Sequence, residues 1–203
     1  MAESSCVAVL AAGRATRFGG NKLETLCAGK PLGRWVIDAV AEAGLEPGLI
    51  VTSAEGVSFA DGWTKVINPA PEAGLGTSIA LAARLALAGG RRKLLVLLAD
   101  MPLIAPAYLR ELTRTPAPAA TRQADGRAGV PALLGNALLK QATALTSDRG
   151  AGPLLVRARL LDPPPGMLRD VDTPDDLAEV ERVLASPILP HPRERGNEES
   201  HLT

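Results

Sequence analysis

Two short runs of almost purely aliphatic residues constrain this chain most. Cys6-Val7-Ala8-Val9-Leu10-Ala11-Ala12 stops at Gly13, and Leu94-Leu95-Val96-Leu97-Leu98 is followed by Ala99-Asp100-Met101-Pro102. A strand without polar alternation is buried on both faces, which is the situation of a central strand in a parallel sheet. The segments between and after them alternate between strand and helix patterns. Pro31 opens a helix over Leu32 to Ala43, with Leu32, Val36, Ile37 and Val40 on one face and Gly44 closing it. Leu49-Ile50-Val51 and Val66-Ile67 read as strands, Ser78 to Ala88 as a helix entered through Gly74-Leu75-Gly76-Thr77, and Pro106 to Leu112 as another helix. Ala117 to Thr121 and Val130 to Leu134 read as strands, Ala137 to Leu145, Gly152 to Arg157 and Pro174 to Ala185 as helices.

Repeated strand-helix units predict a largely parallel sheet with helices on both faces, because right-handed crossovers put them there. In such sheets ligands sit beyond the carboxyl ends of the strands. Gly13 and Asp100 both fall at such ends, hence on one rim. A length of 203 residues suits one α/β domain and is short for two, so residues 1–185 are read as one domain. From Ser186 onward the prolines, mixed charges and scarcity of apolar residues predict a disordered tail over 186–203.

Charge and composition narrow the partners. Lysine plus arginine equal aspartate plus glutamate at 22 each, so there is no positive excess to hold a long polyanion. Aromatics make up only 2%, which leaves few base-stacking platforms; nucleic acid is not the expected partner. Cys6 and Cys27 form neither a disulfide framework nor a zinc pattern. The first residues lack the features of a secretory signal, and no apolar run approaches membrane-spanning length, so the expectation is a soluble, cytoplasmic protein without a membrane partner.

The stretch Leu10-Ala11-Ala12-Gly13-Arg14-Ala15-Thr16-Arg17-Phe18-Gly19-Gly20-Asn21-Lys22 is the first candidate for chemistry. A glycine-containing turn after a buried strand exposes backbone N–H groups that can wrap phosphate oxygens, while Arg17 and Lys22 neutralise charge. A surface turn with two solvated cations would carry the same residues. It is not a P-loop, since Leu23 follows Lys22, and no G-x-G-x-x-G occurs. Asp100 ends an apolar strand, where a carboxylate would oppose a triphosphate unless a hard cation sat between them; capping the Met101-Pro102 turn is its plainer use. Asp170 and Asp172 precede Thr173-Pro174-Asp175, which is also how a helix starts, with Thr as cap and Pro in the first turn. Gly74, Gly76 and Thr77 allow either a flexible helix entry with a hydroxyl cap or close approach of a nucleoside. His191 and His201 lie in the tail, so a histidine base is not expected.

The pattern Leu-Ala-Ala-Gly followed by Arg17, Gly19 and Lys22 resembles the signature of nucleotidyltransferases with the glycosyltransferase-A-like (nucleotide-diphospho-sugar transferase) fold. In particular it resembles the molybdenum cofactor cytidylyltransferases among the MobA-like NTP transferases. Lys30-Pro31-Leu32, Gly74-Leu75-Gly76-Thr77-Ser78, Leu98-Ala99-Asp100-Met101-Pro102, Gly129-Val130-Pro131-Ala132, Ser147-Asp148-Arg149-Gly150-Ala151 and Asp170-Val171-Asp172-Thr173-Pro174 follow that family's blocks in order.

The resemblance implies an enzyme that moves a nucleoside monophosphate, from CTP in preference to GTP, onto phosphorylated molybdopterin carrying molybdenum, releasing pyrophosphate. It implies Mg2+ held by Asp100 and Asp172; alternation on an apparent strand over 170–172 puts Asp170 on the same face as Asp172 and keeps it as the substitute candidate. Arg17, Lys22 and Asp100 become the catalytic set, and Leu10, Ala11, Ala12, Gly13, Lys22, Gly74, Gly76 and Thr77 the nucleotide-binding set. A molybdenum hydroxylase is the implied protein partner. Two rivals stay open: transfer from GTP or to a sugar phosphate, and a noncatalytic carrier that hands a nucleotide cofactor to such a hydroxylase.

Overall fold

The computed structural model describes residues 5–13, 18, 21–146 and 150–186. Its centre is a seven-stranded sheet built from β1 (Cys6–Ala11), β4 (Leu49–Thr52), β5 (Thr64–Ile67), β6 (Leu94–Leu98), β7 (Ala119–Arg122), β8 (Ala128–Leu134) and β9 (Arg159–Leu161). The order across the sheet is β5-β4-β1-β6-β8-β7-β9. β8 runs antiparallel to its neighbours β6 and β7, and the other neighbouring pairs are parallel, so the sheet is mostly parallel as expected. The two aliphatic runs are adjacent central strands, with Cys6 beside Leu94 and Leu10 beside Leu98.

Alternation along β1 divides the interior into two cores. Val7, Val9 and Ala11 face one side, where they join Val36, Ile37 and Val40 of α1 (Arg34–Glu42) and Tyr108, Leu109 and Leu112 of α3 (Pro106–Arg114), with Val180 of α5 (Pro174–Ala185). Ala8 and Leu10 face the other side, against Ile79, Ala82, Ala83 and Ala86 of α2 (Leu75–Ala88) and Leu139 and Ala142 of α4 (Asn136–Ala142). Small alanines along α2 let it lie close on the sheet. The result is one three-layer α/β unit.

Several boundaries differ from the sequence expectation, each for a local reason. Pro31 does not open α1. It pairs with Leu26 in a two-stranded ribbon, β2 (Leu26–Cys27) with β3 (Lys30–Pro31), and α1 begins at Arg34. The ribbon turns through Ala28 and Gly29, both at positive φ (49° and 89°), as a two-residue hairpin loop requires. α1 ends with Leu45 N–H donating to Val40 O and Gly44 N–H to Ala41 O, a Schellman closure.

Helix α2 starts three residues before the expected Ser78. Gly76 and Thr77 suit a helix interior poorly on propensity, but the turn before them is fixed by Gly74 at φ 102° and ψ 178°, a conformation open essentially to glycine alone. Thr77 Oγ1 returns to Gly74 O at 2.8 Å inside the first turn. The expected helix over Gly152 to Arg157 is a single 3-10 turn, Gly152–Leu154, and the chain then enters β9 beside β7. α4 stops at Ala142, before the expected Leu145, and α3 runs on to Arg114. No strand covers 170–172. The expected tail beyond Ser186, with both histidines, lies outside the described residues.

Candidate active site

β1, β4 and β6 point their carboxyl ends at one rim of the sheet, and an open cleft of about 900 Å3 lies across that rim. Leu10, Ala11, Ala12 and Gly13 line it from the end of β1, and Leu98 and Asp100 from the end of β6. The loop after β4, from Ser53 to Val57, forms one wall, and Gly74, Leu75 and Ser78 bring the start of α2 to it. Lys22 and Asp172 complete the centre.

Each central side chain arrives for a traceable reason. β6 ends at Leu98, and Ala99 N–H still donates to Leu10 O at 3.0 Å, so Asp100 leaves the sheet just past the last strand bond. Lys22 opens a 3-10 turn, Lys22–Glu24, in which Leu23 is buried as an anchor. Asp172 comes from far along the chain, and two backbone features hold it. Val171 N–H donates to Asp100 O at 3.0 Å, which lays this segment directly against the end of β6. Asp176 Oδ2 accepts from the N–H groups of Asp172 (3.1 Å) and Thr173 (2.8 Å). Thr173 Oγ1 in turn accepts from Asp176 N–H, so the helix cap and the placement of Asp172 are one structure.

The three side chains meet. Lys22 Nζ donates to Asp100 Oδ2 at 3.0 Å and to Asp172 Oδ1 at 3.1 Å. The Lys22 side chain is only 9% exposed, against 26% for Asp100 and 48% for Asp172, so the ammonium lies deepest and the carboxylates face the cleft above it. Burial works against the charged lysine, but Asp100 and Asp172 outweigh it and hold the Lys22 pKa above the ordinary lysine value. Asp170 does not line the cleft. Burial, then the negative charges of Asp172 and Asp100, push its carboxyl above the usual range.

A Cβ built on Gly13 would meet nothing within 4 Å among the described residues, so none of them requires glycine there. The space beside it belongs to the cleft, and a ligand could approach the backbone closely. Ala12 is buried and lines the same edge.

The structure thus brings Leu10, Ala11, Ala12, Gly13, Lys22, Gly74, Asp100 and Asp172 to one cleft. Gly76 and Thr77 lie behind its wall: Gly76 is buried, and Thr77 Oγ1 accepts from Asn68 Nδ2 at 2.9 Å as part of a brace between the end of β5 and α2. Ser78 shares that amide at 2.9 Å and itself lines the cleft. Arg17 and the Ser147 to Arg149 part of its block lie outside the described residues.

Sequence reasoning passes over the Ser53 to Val57 wall, although it follows the carboxyl end of β4 and the rim rule would have found it. It also passes over Glu24, whose carboxylate accepts from Ser58 N–H at 2.5 Å and Ser58 Oγ at 2.6 Å, tying that wall to the turn carrying Lys22. Lys30 is occupied structurally, paired with Asp38 and stacked 3.6 Å from the Trp35 ring centre.

Fold and cleft together define an α/β protein with a mostly parallel sheet and an open cleft across the carboxyl ends of its central strands. Residues 7–162 match the MobA-like NTP transferase domain, and the chain belongs to that family. A probable molybdenum cofactor guanylyltransferase of Opitutus terrae is 34% identical over 122 residues, which cover 59% of this chain and 60% of that protein. The chain therefore aligns with about three fifths of that relative's length. Among solved structures, Rv0371c of Mycobacterium tuberculosis H37Rv superposes with a TM-score of 0.75 at 25% identity, covering 90% of this chain and all of that one. A nucleotidyl transferase of Methanothermobacter thermautotroptrophicus gives 0.73 at 22% identity, covering 89% and 97%. Among the described residues no helix is long and apolar enough to cross a membrane.

Proposed function

We propose that this chain is a nucleotidyltransferase that moves the nucleoside monophosphate unit of a nucleoside triphosphate, CTP by preference, onto the phosphate of molybdenum-carrying molybdopterin, with release of pyrophosphate. The observation that supports it best is the convergence of Lys22, Asp100 and Asp172 at the floor of a cleft whose rim offers backbone at Gly13. No group of three or more His, Cys, Asp or Glu among the described residues forms a metal cage. Two carboxylates on a cleft wall are instead the donor set that Mg2+ uses when substrate phosphates and water complete its shell, so the residues fit the ion. Bound there, Mg2+ would offset charge on the phosphates.

The chain's own residues perform the rest by position. Backbone at Ala12 and Gly13 and the start of α2 seat the nucleotide, and Lys22 opposes the charge that builds on the leaving pyrophosphate, with Arg17 as the second cation the sequence offers for it. The acceptor phosphate is anionic at neutral pH and needs no protein base. One of its oxygens bonds to the α-phosphorus in line as the bond to the β-phosphate oxygen breaks, and the pair of electrons leaves with pyrophosphate. Transfer to the hydroxylase that uses the product is the downstream partnership this implies.

A second reading, transfer from GTP, draws on the guanylyltransferase name of the Opitutus terrae relative. The test is release of pyrophosphate from CTP and GTP, with Mg2+, across molybdopterin and a panel of sugar phosphates, with the product's mass measured. A cytosine dinucleotide of the cofactor is expected. Release with sugar phosphates alone would redirect the acceptor, and tight binding without release would leave a carrier.

A further inference from the structure

We propose that Lys22 is a resident counter-ion for the Asp100–Asp172 pair, and that nucleotide must draw it away before a divalent cation can settle between the two carboxylates. This rests on the transferase reading of the cleft. The geometry is specific: one ammonium spends a donor on Asp100 and another on Asp172, at 3.0 and 3.1 Å, and lies deeper than either carboxylate. A divalent ion reaching both oxygens would therefore stand in contact with a like charge. Two carboxylates alone carry charge −2; with Lys22 against them the site carries −1, which weakens its pull on a cation.

A triphosphate changes the balance. It gives the ammonium, on a flexible four-carbon stem, a more highly charged partner within the same cleft. Moving to the phosphates frees Asp100 and Asp172 at the moment the phosphates also supply oxygens for the cation. Nucleotide and cation then bind as a pair. By linkage, whatever factor nucleotide adds to cation affinity, cation adds to nucleotide affinity. Lys22 thus sets binding order as well as opposing charge during transfer.

The experiment uses Mn2+ as a paramagnetic probe, titrated into nucleotide-free protein and followed by electron paramagnetic resonance. Lys22→Met, which keeps the stem and removes the charge, is expected to bind Mn2+ about 10-fold or more tightly than the parent, and adding Asp100→Asn should abolish the gain. A variant that binds Mn2+ no more tightly than the parent, or a gain that survives loss of Asp100, overturns the proposal. Should Lys22→Met fold poorly, the parent itself carries the test through the NMR signal of the Lys22 ammonium. That signal should stay put with millimolar Mg2+ alone and shift when CTP joins it; a full shift with Mg2+ alone overturns the proposal. Tighter Mn2+ binding in a protein that releases no pyrophosphate would keep this inference and reject transfer, while turnover without the Mn2+ gain would do the reverse.

Discussion

Lys22 and Asp100, 78 positions apart in the chain, are joined by a 3.0 Å hydrogen bond between Nζ and Oδ2 at the carboxyl rim of the sheet. That bond links the turn after β1 to the end of β6, and Asp172 joins it at 3.1 Å. Asp100→Asn keeps the shape of the side chain and removes its charge. We expect kcat/KM for nucleotidyl transfer to fall by at least about 100-fold, the scale of one lost electrostatic contact in a transition state. The melting temperature should move by no more than a few degrees, since the amide oxygen of Asn can still accept from Lys22 Nζ and Asp172 keeps its charge beside it. Steady-state kinetics beside a thermal melt checks both; a near-parental rate would remove Asp100 from the chemistry.

Thr173 and Asp176 tie stability to site geometry. Thr173→Ala removes an N-cap, worth about 1 kcal/mol, or about 2–4 °C in a chain of this size. The pH dependence has a fixed sign. Hydrogen bonds from the Thr173 side chain, then from backbone N–H groups, hold the Asp176 pKa below its ordinary value. Its contribution is present above the unfolded pKa of about 3.9 and is lost as pH falls through the lower folded value. The stability gap between parent and Asp176→Asn should therefore be full at pH 6 and shrink below about pH 4. Denaturant melts across that range test it, and a gap that widens in acid would contradict the cap.

Glu24 should act on binding more than on rate. Its two bonds to Ser58 fasten the Ser53 to Val57 wall to the turn bearing Lys22, and Arg34 Nη1 holds Phe59 O beside them at 3.2 Å. Glu24→Ala releases one anchor and leaves the other. KM for the triphosphate is expected to rise several-fold, with kcat within about twofold of the parent, an effect on the order of 1 kcal/mol. Initial rates over a range of CTP concentrations would show it, and an unchanged KM would make the tie incidental.

We expect nucleotide preference to turn on Ala12, which is buried and lines the cleft beside Gly13. Its methyl group narrows the edge where a base and ribose would lie, which suits a pyrimidine better than a purine. One methyl is worth about 1–3 kcal/mol of discrimination, so we expect a preference of roughly 10- to 200-fold in kcat/KM for CTP over GTP. Competition at equal concentrations measures it directly. A preference for GTP would assign the chain the chemistry named for its Opitutus terrae relative.

Much of this architecture is legible in the residues, and the parts that are not share a physical cause. The unalternated β1 and β6 announce a doubly covered sheet, and the rim rule then places Gly13 and Asp100 together. Capping chemistry marks α5 from Thr173-Pro174 alone. β2, β3 and β9 are two or three residues long and carry no periodicity, so pairing, not local preference, makes them strands. The start of α2 is hidden because Gly76 and Thr77 oppose helix on propensity and tertiary packing overrides them. Lys22 is visible as a cation near a turn, but its bridge to Asp100 and Asp172 is a long-range contact that no local pattern encodes.

Transfer of the nucleoside monophosphate in this cleft can be followed with a single label. CTP carrying 32P at the α-position is incubated with the protein, Mg2+ and molybdenum-loaded molybdopterin. We expect the label to move into a cytosine dinucleotide of the cofactor while unlabelled pyrophosphate appears in equal amount, and Asp100→Asn to slow both by at least about 100-fold. Label remaining in CTP, or released as free CMP without any acceptor adduct, would contradict it.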